Sequence, residues 1–259
     1  MKKAALVTGA GGRLGHAIAL QLGQMGYDVV VHYASSASGA NETVAQLKAM
    51  GRHAQALQAN LLDLDETEAL VDRACDAVGQ LSVLVNNASI FEHDTLETAT
   101  RESWDRHMGS NLRAPLILSQ AFAAQAPKSE PDAAGEPVAQ ACIINMVDQR
   151  VRKLTPEFMT YTIAKMGLWA FTQTAARGLA PDIRVNAIGP GPTLQGGRQA
   201  AEHFAEQRAA TILKRGSNAS DITAAVNFIL SSPALTGQLL CIDGGQHLAW
   251  ETPDVIGVE

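Results

Sequence analysis

Short apolar runs rich in β-branched residues alternate along the chain with longer stretches in which apolar residues recur at helical spacing. The short runs predict buried strands, and the longer stretches predict amphipathic helices. Strands and helices in alternation predict right-handed crossovers and a parallel sheet covered by helices on both faces. Seven strands are predicted, at residues 3–7, 28–33, 54–58, 83–85, 142–145, 184–188 and 239–242.

The length and composition agree with this architecture. The chain has 259 residues, 46% of them hydrophobic, which suits a single α/β domain spanning residues 1–259. Its net charge of −6 provides no basic surface for a nucleic acid or an anionic membrane, so neither partner is expected. No apolar stretch approaches the roughly 20 residues that cross a bilayer. The compositionally biased segment 126–139 is predicted to be an exposed loop.

The cysteine and histidine patterns give no sign of a metal site or a disulfide framework. Cys75, Cys142 and Cys241 are widely spaced and form no C-x-x-C pair, and the histidines show no ligand spacing. We therefore expect no metal and a location in a reducing cytoplasm.

Polar residues and glycines gather where the predicted strands end. The carboxyl ends of parallel strands share one edge of the sheet, and ligands of open α/β sheets bind there. We expect these residues to line one rim: Gly9, Tyr33, Asn60, Asn86, Asp148 and Pro190.

The segment 8–15 after the first strand is rich in glycine and opens a helix predicted over residues 14–25. Such a turn permits close approach of a pyrophosphate to the helix N-terminus, which stabilises its negative charge. The spacing is not G-x-G-x-x-G, because Leu14 stands where the third glycine would be. The position of the turn still predicts dinucleotide binding.

The residues after the second strand favour NADP over NAD. A carboxylate there would accept hydrogen bonds from the ribose hydroxyls of NAD. This chain instead has Tyr33, Ser35 and Ser36, with no acid before Glu42. A 2′-phosphate would meet hydroxyls there, and Arg13 lies on the same rim.

Tyr161 and Lys165 are four residues apart in a predicted helix, so both project from one face. An ammonium beside a phenol lowers the pKa of the phenol, which makes Tyr161 a candidate proton donor. The pair alone recurs by chance in many helices, and its significance depends on the residues around it.

Taken together, the motifs resemble the short-chain dehydrogenase/reductase family over residues 3 to about 245. The resemblance implies a Rossmann-like, doubly wound seven-stranded sheet. Asp148 in place of the family's usual serine, with Arg13, Ser89 and Phe91, resembles the pteridine reductases in particular. The family motifs are Thr8-Gly9-x-x-x-Arg13-x-Gly15, Asn86-Asn87-Ala88, Asn111, Tyr161-x-x-x-Lys165 and Pro190-Gly191.

The resemblance implies a role for each catalytic candidate. Tyr161 would donate the proton, and Lys165 would lower its pKa and hold the nicotinamide ribose. Asn111 would anchor a water that relays protons to this lysine. Asp148 would work with Tyr161 in protonating the substrate, and an aspartate suits a ring nitrogen better than an alcohol.

The resemblance also implies the binding residues for a pterin and for NADP(H). Phe91 would stack on one face of the flat pterin, while Ser89 and Arg13 would contact its polar edge together with Asp148 and Tyr161. Asn86 and Ala88 would pass beside the adenine ribose. The cofactor-binding residues would be Gly9, Arg13, Leu14, Tyr33, Ser35, Ser36, Asn60, Leu61, Asn87, Ala88, Lys165, Pro190 and Gly191.

The chain departs from the family pattern at two places. Asn60 stands where an aspartate usually meets the adenine amine, although an amide oxygen can still accept that bond. The segment 34–36 lacks the basic residue that pteridine reductases offer to the 2′-phosphate. A substrate loop is expected near residues 190–215, and its side-chain pocket is not assigned.

Simpler interpretations of the same residues remain open. Phe91 could be loop packing, Asp148 a turn cap and Arg13 the partner of a surface carboxylate. The expected function is an NADPH-dependent reductase of a dihydropterin or a similar flat heterocycle. The alternatives are a carbonyl reductase acting on keto or acyl-thioester substrates and a non-catalytic dinucleotide sensor. An oligomer is expected, because the outer face of the helix carrying Tyr161 is apolar around 166–171, and the family resemblance implies a homotetramer formed through this helix.

Overall fold

The structure, a computed structural model, describes residues 3–195 and 200–252. Seven of its strands form one parallel sheet and two short strands form a separate hairpin. The strands are β1 (Ala4–Val7), β2 (Asp28–Tyr33), β3 (Ala54–Gln58), β4 (Val83–Asn86), β5 (Glu130–Pro131), β6 (Pro137–Val138), β7 (Ala141–Met146), β8 (Ile183–Pro190) and β9 (Leu239–Ile242).

The large sheet has the order β3-β2-β1-β4-β7-β8-β9, so the chain winds outward from β1 to one edge and then from β4 to the other. The predicted Rossmann-like α/β fold is confirmed. The reversal of direction between β1 and β4 opens a crevice at the carboxyl ends of these two strands.

Helices cover both faces of the sheet. A short π-helical turn, Gly109–Arg113, joins two of them, and a 3₁₀ turn, Gln149–Val151, follows β7. The α-helices are α1 (Arg13–Gln24), α2 (Ala37–Ala49), α3 (Leu64–Glu68), α4 (Leu70–Val78), α5 (Arg101–Met108), α6 (Ala114–Gln125), α7 (Met159–Gly178), α8 (Ala201–Ala209) and α9 (Ala219–Ser231).

The core consists of two apolar layers, one on each face of the sheet. Successive side chains of a strand point to opposite faces, and Leu6 and Val7 of β1 accordingly belong to different layers. One layer packs against α1, α2 and α9, with Ile18 fully buried. The other packs against α4, α6 and α7, with Phe122 fully buried. Because both faces are covered, the carboxyl edge of the sheet is where a ligand can reach the strands.

Several predicted boundaries need correction. The strand ends differ from the prediction by up to two residues, and Asn86 and Pro190 are the last residues of β4 and β8 rather than the first residues after them. Within the segment 126–139, predicted as a loop, β5 and β6 form an antiparallel pair. The segment 190–215, predicted as a substrate loop, contains α8. Residues 196–199 of that segment lie outside the described residues.

A buried arginine closes the end of α9. The guanidinium of Arg184, on β8, donates to the carbonyl oxygens of Ile229 at 2.8 Å, Leu235 at 3.0 Å and Leu230 at 3.3 Å. The last carbonyls of a helix have no partner within the helix, and the negative end of its dipole favours a cation. Arg184 therefore supplies the C-terminal hydrogen bonds that α9 lacks.

We expect Arg184→Met to lower the free energy of unfolding by about 1–3 kcal/mol, because buried carbonyls lose their donors. Urea denaturation would measure the loss. The matched control is Arg177→Met, since the exposed Arg177 donates to the carbonyl oxygen of Gln173 within its own helix. Equal midpoints for the two variants would show that the Arg184 hydrogen bonds contribute nothing net.

Candidate active site

The glycine-rich turn leaves open space at the start of α1. A Cβ at Gly15 would lie 2.2 Å from the carbonyl oxygen of Gly9, so no side chain fits inside the turn. No side chain caps α1, and a Cβ at Gly12 would meet nothing within 4 Å. Free N–H groups beside open space suit a phosphate group. The local geometry therefore fits the pyrophosphate of a dinucleotide.

The side chains of Thr8 and Asn87 hold this turn to the segment that follows β4. The hydroxyl oxygen of Thr8 accepts hydrogen bonds from the N–H groups of Asn87 and Ala88, each at 2.9 Å. The amide of Asn87 donates to the carbonyl oxygen of Thr8 at 2.8 Å. The side chain of Asn87, expected to bind cofactor, is thus engaged in fixing the turn.

His32 is a positioning residue that the motifs did not single out. Its Nδ1 accepts the Gly9 N–H at 3.0 Å, so Nε2 carries the proton and donates to Ala59 O at 3.0 Å. Burial lowers the pKa of His32 to about 4, which keeps the ring neutral. One imidazole therefore links the glycine-rich turn to the end of β3. In the sequence, its position near the end of the predicted strand 28–33 could have indicated that it lies close to the ligand-binding rim.

The region expected to receive the 2′-phosphate is open and carries hydroxyls. Ser35 and Ser36 are exposed and Tyr33 is half-buried. Ser36 Oγ donates to Gly11 O at 3.0 Å, which joins this segment to the glycine-rich turn. The arrangement leaves Ser35 available to a ligand.

Asn60 and Leu61 lie just after β3, and the backbone N–H and side-chain oxygen of Asn60 already have partners within the chain. Its side-chain oxygen accepts the N–H of Leu62 at 3.1 Å and so stabilises the local turn. The Asn60 N–H is bound by the Glu66 carboxylate at 2.6 Å. Leu61 is buried.

Arg13 connects the glycine-rich turn to the segment after β8. Its backbone has φ 52°, a left-handed conformation that is uncommon outside glycine. Its guanidinium donates to the carbonyl oxygens of Leu194 at 3.1 Å and Gln195 at 3.4 Å. Arg13 thus contacts the backbone of the predicted substrate loop, which the simpler interpretation as the partner of a surface carboxylate did not anticipate.

Tyr161, Asp148 and Lys165 lie together beyond the end of β7. The phenol of Tyr161 donates to Asp148 Oδ2 at 2.9 Å. The ammonium of Lys165 donates to Met146 O at 2.7 Å and lies 5.6 Å from the centre of the Tyr161 ring. Asp148 Oδ1 accepts the N–H of Arg150 at 2.8 Å, so the carboxylate also caps a turn. One carboxylate oxygen of Asp148 thus caps a turn, and the other contacts the candidate proton donor Tyr161.

Burial governs the protonation of these three groups. Burial raises the pKa of Tyr161 well above its ordinary value, and the Asp148 carboxylate raises it further. Burial also raises the pKa of Asp148 and lowers that of Lys165 to about 8. The net shift of the Tyr161 pKa is upward, opposite to the lowering expected from Lys165, because desolvation and the carboxylate outweigh the lowering effects of Arg150 and Ser89. Tyr161 is therefore held as a neutral phenol.

Phe91 lies beside this trio and is about half exposed. Its ring stacks on that of Phe158 with centres 4.3 Å apart and planes within 5°, and it meets Tyr161 edge-on at 4.7 Å. A substrate stacking on Phe91 would use the face that Phe158 leaves free. Phe158, in a left-handed conformation with φ 57°, carried no signal in the sequence. Ser89 is exposed next to these rings.

Asn111, the remaining catalytic candidate, is buried in the π-helical turn, a deviation often found at functional sites. Its side chain accepts from Ile90 N at 2.9 Å and donates to Ile90 O at 2.8 Å.

Asn86 does not lie on the rim as expected. Its side chain is buried and donates to Oδ1 of Asn145, the residue paired with it on β7, at 2.9 Å. Pro190 and Gly191 do lie at the rim, and a Cβ at Gly191 would stand 2.6 Å from Asp243 Cβ. Only glycine fits at position 191.

Comparison with known proteins identifies the family. A family model described as enoyl-(acyl carrier protein) reductase matches residues 9–247. The 3-oxoacyl-[acyl-carrier-protein] reductase FabG of Staphylococcus aureus is 34% identical over 253 residues, covering 96% of this chain and 99% of that one. The chain belongs to the short-chain dehydrogenase/reductase family.

Solved structures of the same family include two with different stated activities. FolM alternative dihydrofolate reductase 1 from Brucella canis, complexed with NADP, is 37% identical with a TM-score of 0.90, over 97% of this chain and 96% of that chain. The angucycline C-6 ketoreductase LanV, with bound NADP, is 29% identical with a TM-score of 0.85, over 95% and 96%. Both a pteridine-type and a carbonyl-type reductase thus share this architecture.

In residues 3–195 and 200–252 no helix is long and apolar enough to cross a membrane. Within the same ranges, no group of three or more His, Cys, Asp or Glu side chains could hold a metal ion.

We expect His32→Leu to weaken NADPH binding by about tenfold, because the Gly9 N–H loses its acceptor and the turn loosens. His32→Asn should lie between this variant and the wild type, since its side-chain oxygen can replace Nδ1. Fluorescence titration with NADPH measures all three proteins. Identical dissociation constants would mean that the turn holds its shape without His32.

Proposed function

We propose that the protein is an NADPH-dependent reductase of a dihydropterin or a closely related flat heterocycle. The observation that carries this proposal is the 2.9 Å hydrogen bond between Tyr161 and Asp148. It places two acidic groups side by side, where a carbonyl reductase of this family would have a serine and a tyrosine. The FolM structures, 37% identical to this chain, support the same substrate class.

The cofactor proposed is NADP(H), in agreement with the NADP bound in several related structures. The glycine-rich turn and the N-terminus of α1 would hold the pyrophosphate, with Ser35 and Ser36 near the 2′-phosphate and Lys165 near the nicotinamide ribose. Bound there, NADPH supplies the hydride that reduces an electrophilic ring carbon.

The proton would come from Tyr161. Its raised pKa keeps the phenolic hydrogen in place at neutral pH, and that hydrogen already points at Asp148. A ring nitrogen entering between the two groups would take this proton as the neighbouring carbon accepts hydride. The positive charge of Lys165 would stabilise the phenolate left behind. Asp148, also with a raised pKa, would exchange protons with Tyr161 and bind the ring N–H.

A second candidate is a 3-oxoacyl or other carbonyl reductase. The FabG relatives, at 34% identity, and the intact Tyr161 and Lys165 pair favour it. The carboxylate at position 148 disfavours it, since it would lie close to the oxyanion that forms from a carbonyl. A non-catalytic dinucleotide sensor would have no need of a buried proton donor.

We further propose that the chain forms a homo-oligomer through α7. Ile163 and Met166 of this helix are exposed, and Trp104 and Leu116 on α5 and α6 are exposed too. Apolar side chains presented by adjacent helices are typical of a surface that a second copy covers.

The cofactor proposal predicts that NADPH binds at least about tenfold tighter than NADH, equivalent to roughly 1.4 kcal/mol. A carboxylate at position 35 would repel the 2′-phosphate and accept the ribose hydroxyls, so Ser35→Asp should reverse the preference. Dissociation constants for both cofactors test this. Equal affinities in the wild type would contradict it.

The substrate proposal predicts that Asp148→Ser loses dihydropterin reduction by on the order of 100-fold in kcat, because a hydroxyl is a poor acid beside a ring nitrogen. Simple ketone reduction should hold or improve. Tyr161→Phe is the control that abolishes both reactions. Undiminished dihydropterin turnover in Asp148→Ser would favour the carbonyl reductase.

A further inference from the structure

The backbone on either side of Phe91 is held by two side chains from one stretch of helix. Asn111 binds both the N–H and the C=O of Ile90, at 2.9 and 2.8 Å. His107 accepts the N–H of Glu92 through Nε2 at 3.1 Å. Both flanking residues are thus tied to the same segment, in which His107 and Asn111 are four residues apart.

The direction of each hydrogen bond around His107 can be assigned. The Glu92 N–H can only donate, so Nε2 is the unprotonated nitrogen and Nδ1 carries the hydrogen. Nδ1 therefore donates to Thr160 Oγ1 at 2.7 Å. The Thr160 hydroxyl in turn donates to the buried carboxylate of Asp94. Burial lowers the pKa of His107, which favours the neutral ring that this arrangement requires.

This chain of hydrogen bonds joins the Phe91 segment to the start of α7. Thr160 immediately precedes Tyr161, and its N–H donates to Asp94 Oδ1 at 3.1 Å. The centre of the His107 ring lies 5.9 Å from that of Tyr161. His107 is fully buried, and its two hydrogen bonds join the residue after Phe91 to the residue before Tyr161.

We propose that His107 is a positioning residue that sets where Phe91 stands relative to Tyr161. It acts on the affinity for a flat substrate, through Phe91, and not on proton transfer. The inference rests on the proposed function only in that Phe91 contacts the substrate. The hydrogen bonds that hold the segment do not depend on what the substrate is.

Two substitutions separate the hydrogen bonds of His107. His107→Asn places polar atoms near the position of Nδ1, facing Thr160, but is too short to accept from Glu92. His107→Gln reaches the position of Nε2 and keeps an acceptor for the Glu92 N–H. Both remove the imidazole ring, so each serves as the control for the other.

The kinetic test compares the dihydropterin KM and kcat of the two variants. His107→Asn should raise KM about five- to tenfold, the effect of one buried hydrogen bond, with kcat within about twofold of the wild type. His107→Gln should recover most of the KM. Equal losses in both variants, accompanied by a lower Tm and weaker NADPH binding, would indicate a general structural role and overturn the inference.

A double-mutant cycle with Phe91→Ala tests whether His107 works through Phe91. In the Phe91→Ala background, His107→Asn should raise KM little further, since the ring it positions is gone. Additive increases in KM would show that the two residues act independently and would overturn the inference.

Hydrogen exchange supplies a readout that needs no substrate. The amides of residues 88–95 should exchange faster in His107→Asn and at wild-type rates in His107→Gln. Unchanged exchange in His107→Asn would overturn the inference. If the wild type fails to reduce dihydropterin, the proposed function falls, and the exchange data alone decide the role of His107.

Discussion

Buried backbone groups must find hydrogen-bond partners, and this requirement is hardest to meet at the carboxyl edge of the sheet. Ladder hydrogen bonds stop there, yet the turns that follow β1, β2 and β4 remain partly buried. Side chains supply what the ladder no longer provides. Thr8 and Asn87 hold the turn after β1 to that after β4, and His32 holds it to the end of β3. The ligand-binding edge owes its shape to these side chains.

Burial away from water sets the protonation of the ionisable side chains at the same edge. In a solvated helix, an ammonium would ease the loss of a proton from a neighbouring phenol. Here Tyr161 is buried and hydrogen-bonded to a carboxylate, so the protonated phenol is favoured. Lys165 is itself buried, and its pKa of about 8 shows that its charge is weakly supported. At neutral pH Tyr161 is therefore a neutral phenol, and Lys165 is an ammonium whose pKa lies only slightly above neutrality.

Features that depend on local pattern could be predicted from the sequence, and those that depend on distant partners could not. The strands and their shared rim follow from periodicity, and the pair Tyr161 and Lys165 follows from helical spacing. Phe91 and Phe158 lie far apart in the chain, so the spacing of residues in the sequence does not predict their contact. Asn86 turns inward because of Asn145 on the neighbouring strand. The direction in which the pKa of Tyr161 shifts could not be predicted without knowing how deeply its side chain is buried. His107 lies four residues before Asn111, but the sequence does not indicate its role, because that role depends on the position of the segment around Phe91.

The β5–β6 hairpin lies at the opposite edge of the sheet from the active site, since it leads directly into the start of β7. Asp182, just before β8, anchors its base by accepting hydrogen bonds from Lys128 Nζ at 3.0 Å and Ser129 N at 2.9 Å. Its tip is exposed around Gly135. An exposed tip on an anchored base tolerates insertion well. A fluorophore, an affinity handle or a tether to a solid support attached there would leave the catalytic edge facing the solution.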